Sequence, residues 1–421
     1  MPVERFFNFA RRVINYFENN NSHILLFVLT FIFIIIIRNL LEVFSTGYEA
    51  GIENHYHYVL FYISIVSVFI LLFSYASKEK VEKVSKLVLS FSILILIAPL
   101  LDLIVNLGGK VGMEYMLPVN TDSLIISFLT FGGFSNLTFG LRLEVALIVF
   151  LGFVYFLAKT NMLIRSLFFV FIQYTIIFAF GLLPFVREFF FSVIGTNISV
   201  QTFYHLIFTL ILFSSLIWIG YLYDRTKFIA ILRDIRFFRI LHYILFFCIG
   251  LLVGLNWQFD IGFYNYVEIF ICFIVIFLAG MFSIFTNNIA DYKIDSVSNK
   301  ERPLIKGAIR NKDYIILSVL SIIFLVMFSI LIDYYILFFS MVLVAVYFLY
   351  SMPPWRLKRV PVFSKLMIAF NTFVVFLMGH YYIEGNLDAP FEYKILILVF
   401  FGLQSILLTL KTIGVINTQA L

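Results

Sequence analysis

Long apolar runs alternate with short polar loops along the whole chain. Runs near the roughly 20 residues that cross a bilayer fall at 23–41, 58–76, 87–106, 143–158, 166–186, 203–223, 241–256, 265–286, 314–332, 334–350, 366–383 and 394–410. Hydrocarbon offers no partner to a backbone amide, so runs of this length read as helices, which satisfy their own backbone. The pattern predicts an all-α, multi-pass transmembrane protein of about twelve spans.

The loops carry charge in alternation. Basic residues occupy every second loop: Arg5, Arg11 and Arg12, then Lys78 to Lys86, Lys159 and Arg165, Arg225 to Arg239, Lys293 to Lys312, and Arg356 to Lys365. The loops between them hold Glu42, Glu49, Glu53, Asp260, Asp333, Glu384 and Asp388. The positive-inside rule then puts both termini and the 291–313 loop in the cytoplasm. Arg38 interrupts the end of the first run and no small-residue cleavage site follows it, so that run reads as a retained span.

Composition agrees. The chain is 62% hydrophobic and 13% charged, with mean hydropathy +1.02, which excludes a soluble domain. The net charge of +6 is spread over short loops and forms no nucleic-acid-binding stripe. Cys248 and Cys272 both lie in apolar runs and read as packing residues.

Two modules are expected. Residues 1–223 form an N-terminal membrane domain of about six spans with no recognisable chemistry; 224–240, DRTKFIAILRDIRFFRI, is a basic amphipathic connector suited to the cytoplasmic interface; 241–421 is the second module. Arg38 and Glu42, at i and i+4, read as an ion pair anchoring the first span at the outer interface. Asp102, Arg142 and Glu144 lie at span ends, where solvation or snorkelling accounts for them.

Chemistry concentrates in NNIADYKIDSVSNKERPLIKG, residues 287–307, directly after an apolar run. On a helix, Asn287, Asp291 and Asp295 are at i, i+4 and i+8 and share one face. Carboxylates at a helix C-terminus beside hydrocarbon need a cation, and Mg²⁺ takes one or two carboxylates and completes its shell with water and phosphate. Lys300, Arg302 and Lys306 follow as phosphate-binding types. Spacing alone leaves a solvated, positive-inside loop equally open.

The same stretch resembles the first Asp-rich motif of the UbiA family of intramembrane prenyltransferases, and LYSMPPWRLKRVPVFSKL, residues 349–366, is similar to a later cytoplasmic segment of that family. The resemblance covers about 236–416. It implies a UbiA-like helical bundle in which Asn287, Asp291 and Asp295 hold Mg²⁺, with Asp291 and Asp295 catalytic. Asn287, Arg302 and Lys306, with Arg356 and Lys358 on the next loop, would bind the diphosphate of a prenyl diphosphate. Asn288 stands where many members have an aspartate. Thr412 stands where a second Asp-rich motif would open, so an incomplete bundle is expected: a longer gene product, a second polypeptide that completes it, or a degenerate copy.

The leading expectation is prenyl transfer to an aromatic, quinone-precursor or lipid-like hydrophobic acceptor in the bilayer. The alternatives are a non-catalytic isoprenoid-binding or assembly membrane protein, and a transporter, for which related halves or mid-membrane charges would be expected.

Overall fold

The computed structural model describes residues 2–46, 52–105, 121–130, 137–194, 200–257 and 263–385. Every regular element among them is a helix. Among the described residues, eleven helical stretches are long and apolar enough to cross a membrane, one for each predicted run from 23–41 to 366–383. The chain is therefore a multi-pass helical membrane protein. The run 394–410 and Thr412 lie outside the described residues.

The chain forms two compact units, 1–225 and 226–421. In the first, α1 (Pro2–Glu18) is followed by α2 (Ile24–Thr46), α3 (Ile52–Ser77), α4 (Val81–Phe91), α5 (Ile97–Val105), α6 (Thr121–Thr130), α7 (Phe139–Thr160), α8 (Leu163–Gly181), α9 (Leu183–Ile194) and α10 (Val200–Tyr223). Helix α1 is amphipathic, with Ala10 and Ile14 buried and Arg5, Arg11 and Arg12 exposed. Its buried Glu18 accepts from Lys159 Nζ at 2.5 Å and Tyr155 Oη at 3.2 Å, tying α1 to the end of α7.

The third span is broken: Ser92–Leu96 forms a 3₁₀ turn between α4 and α5. Pro99 lies just beyond, and a proline ring clashes with the carbonyl of residue i−4, here Ile95, so an unbroken α-helix cannot pass.

The expected Arg38–Glu42 pair forms, and it is turned into the protein: Arg38 is 2% exposed, with its guanidinium 4.7 Å from the Tyr62 ring centroid. One expectation for this unit is corrected. Asp102 and Glu144 are also buried and bonded to backbone, Asp102 by the Gly140 amide at 3.0 Å and Glu144 by the Ala98 amide at 3.1 Å. They hold α5 against α7 instead of facing water.

The second unit contains α11 (Arg225–Asp234), α12 (Phe237–Gly254), α13 (Phe263–Ser298), α14 (Asn311–Ile330), α15 (Tyr334–Ser351) and α16 (Pro361–Glu384). The 224–240 connector is two helices: α11, and the first turn of α12. Helices α12 and α16 pack along each other, as do α13 and α14. A Cβ at Gly250 would collide with the Phe376 carbonyl, and one at Gly379 with the Phe247 carbonyl. Gly250 and Gly254 are four apart on α12, the small-residue spacing that lets membrane helices approach closely.

Helix α13 continues through residues 287–295 to Ser298, so the polar motif is helical and not a loop. Beyond it, Leu304 and Ile309 are buried with Ile240, Met281, Ile284, Phe285 and Tyr314; Ala230 and Ile231 of α11, and Ile235 just after it, pack against them. This cluster fixes the 299–310 segment under the end of α13.

Candidate active site

Two polar networks occupy the end of α13. The first joins it to the loop after α15. Asp291 Oδ1 accepts from Arg356 Nη2 and from Lys358 Nζ, both at 2.6 Å; Lys358 Nζ also donates to Asn287 Oδ1 at 2.9 Å, and Arg356 Nη2 to the Ala290 carbonyl at 2.7 Å. Arg356 has φ 44°, a left-handed conformation uncommon outside glycine, at the start of the short 3₁₀ turn Leu357–Arg359. That conformation turns its guanidinium back toward α13, and its Nε is buried without a hydrogen-bond partner.

In the second network, Arg302 Nη1 donates to Asp295 Oδ2 at 2.5 Å and to Asn288 Oδ1 at 2.8 Å. The Asn288 amide donates in turn to Asp234 Oδ2 on α11, which also accepts from Tyr314 Oη at 2.6 Å. Asn288 is thus an adaptor that accepts from a cation and donates to an anion. A carboxylate has no hydrogen to donate to Asp234 at this position, which is a physical reason for an amide where the resemblance leads one to expect aspartate. Asn288→Asp is expected to cost about 1–3 kcal/mol by setting a buried carboxylate against the half-buried Asp234. Thermal melting checks it, and the added Asp234→Asn change should restore most of the loss.

Of the residues singled out in the sequence, Asn287, Asp291, Arg356 and Lys358 come together, and Asp295 and Arg302 form the adjoining pair. Lys306 does not join them: it is exposed and pairs with Glu301. Asp234 and Tyr314 carry no sequence signal, since they reach Asn288 and Asp234 across 54 and 80 residues.

The field around the networks is positive. Burial pushes the Lys358 ammonium below its ordinary value, and its bond to Asp291 opposes that. Burial, with the neighbouring Arg239 and Arg302 charges, also lowers Arg236. Half-buried cations incompletely neutralised by one carboxylate suit a polyanion.

Among the described residues, no three His, Cys, Asp or Glu side chains converge to form a complete metal shell. Mg²⁺ does not need one. Among the described residues nothing hydrogen-bonds Asp291 Oδ2 or Asp295 Oδ1, and two carboxylates plus substrate phosphate are the donor set this ion takes. The residues present fit it.

Residues 243–414 match the model of the UbiA prenyltransferase family. No curated protein and no solved structure matches the chain.

Proposed function

We propose that the UbiA-type segment ionises a prenyl diphosphate and passes the prenyl group to a hydrophobic acceptor: an aromatic, quinone-precursor or lipid-like molecule. The observation that carries this reading is the joint bonding of Asp291 by Arg356 and Lys358, which sets acids for a metal and bases for a phosphate in one cluster. The positive-inside distribution of loop charge supports a cytoplasmic position for that cluster.

The chemistry breaks the allylic carbon–oxygen bond, with the electron pair leaving on the diphosphate. The allyl cation forms a bond to the acceptor, which loses a proton. In the free protein Asp291 pairs with both Arg356 and Lys358 and neutralises them in part. A diphosphate takes over that role: the guanidinium and ammonium turn to its oxygens and meet the charge that develops on the leaving group. Arg302 is the third cation within reach of the same face. Asn287, Asp291 and Asp295 are the residues that would hold Mg²⁺, which supplies Lewis-acid stabilisation of the departing diphosphate.

The test is diphosphate release by purified protein given Mg²⁺, geranylgeranyl diphosphate and candidate acceptors. Binding of the diphosphate without release, under every acceptor, would favour an isoprenoid-binding protein; absence of binding would remove both readings.

The cations are separable by substitution. Lys358→Ala is expected to weaken diphosphate binding about tenfold or more, as loss of a charge-assisted bond does, whereas Lys306→Ala should change it by less than about twofold. Because Lys358 is depressed, it loses its proton at lower pH than an ordinary lysine, so diphosphate affinity should fall as pH rises through that value. Lys358→Arg should flatten the fall. Isothermal titration across pH reads both effects.

A further inference from the structure

The first unit contains a cavity of about 490 Å³, within the range of small-molecule sites. Its walls are apolar for most of their length: Ala10 and Ile14 of α1, Ile65 and Phe69 of α3, and Val145 and Leu151 of α7. Its lining runs along α7 from Leu141 to Tyr155, fourteen residues and about 21 Å at 1.5 Å per residue. The cavity is therefore long and follows the spans.

Its polar groups are few. Glu42 accepts from both the Arg38 guanidinium and the Tyr58 phenol. Glu144 and Gln173 have oxygen to spare. Glu144 accepts from the Ala98 amide through Oε2, and its Oε1 carries no hydrogen bond among the described residues. Gln173 is 1% exposed; its Nε2 donates to the Ile148 carbonyl at 3.1 Å, and its Oε1 is buried without a partner. Glu144, Ile148 and Gly152 are successive turns of one face of α7, and the Gln173 amide oxygen lies over Gly152, where a Cβ would collide with it. A buried acceptor without a donor is costly, and this one sits on the wall of an otherwise greasy slot.

We propose that this cavity binds a long-chain alcohol, with the apolar chain running along α3 and α7 and the hydroxyl hydrogen donated to the Gln173 amide oxygen. A hydroxyl supplies the missing donor and adds no charge. A diphosphate would oppose the Glu42 and Glu144 carboxylates, and an ether or hydrocarbon would leave the acceptor unmet. The inference is independent of the chemistry of the second unit.

The full chain in lipid nanodiscs should bind tritiated geranylgeraniol saturably. Hexadecanol should compete within a few fold, since chain branching meets no specific contact, and a hexadecanol preference of a hundredfold would make the source a straight acyl chain while leaving the site assigned. Geranylgeranyl methyl ether should bind about tenfold more weakly. Ile65→Trp, which fills the slot, should reduce binding about tenfold or more. Gln173→Leu keeps the volume and should cut it several fold, so the site remains testable if the tryptophan variant does not fold. Mg²⁺ with excess inorganic diphosphate should not displace the alcohol. Equal binding of alcohol and ether overturns the hydroxyl assignment. Binding indifferent to both substitutions, or displaced by inorganic diphosphate, overturns the cavity as the site.

Discussion

Asp291→Asn is expected to lower diphosphate release from a prenyl diphosphate by about 10²–10³-fold or more, the scale on which loss of one preorganised electrostatic contact acts on a rate. Asparagine keeps the volume and one carbonyl oxygen but removes the anion. Two consequences separate a site role from a structural one. Arg356 and Lys358 both bond Asp291 Oδ1, so without its charge they are more available to phosphate, and diphosphate binding in the absence of Mg²⁺ should hold or tighten. The dependence of binding on Mg²⁺ should disappear. Isothermal titration with and without EDTA reads both, and a melting curve shows whether the unit still folds. A mutant that turns over like the parent would remove Asp291 from the chemistry; one that loses Mg²⁺-free binding as well would make its role the holding of the loop.

The second large effect is structural. Gly379→Val should destabilise the second unit by about 3 kcal/mol or more, because overpacking of a tight seam costs about 1–3 kcal/mol and here the added atoms meet backbone. The neighbour of the new Cβ is the Phe247 carbonyl, and the amide of Leu251 lies next to it. Neither can turn aside as a side chain can, so α12 and α16 must separate. Gly250→Val meets the Phe376 carbonyl from the other side and should behave alike. Gly307, which has φ +72° and open space around it, should tolerate asparagine with little loss. Melting temperature in detergent, with expression level as a second reading, ranks the three.

The spans were legible because hydrocarbon imposes a run length that few other constraints produce. Asn287, Asp291 and Asp295 were legible as one face because a period near four needs no tertiary knowledge. Other features had a signal that run length does not weigh: Pro99 marks the break in the third span, and GLLVG at 250–254 marks the tight seam. The burial of Arg38 and Glu144 was not legible. A charged residue near the end of a span reads the same in sequence whether it faces lipid headgroups or a cavity, and only packing distinguishes them. Nor could the Asp234–Asn288–Arg302 chain be read, since its members are brought together by α11 folding back on the α13–α14 pair.

Helix α13 has no proline and no break between its apolar run and Ser298. At 1.5 Å per residue its 36 residues span about 54 Å, against about 30 Å of hydrocarbon. The three motif positions are therefore spread over about 12 Å of rise on a continuous rod. Arg356 and Lys358 meet the rod at Asn287 and Asp291, while Asp295, one turn further on, is left to Arg302. The rise of one helix thus sorts the basic side chains between two loops.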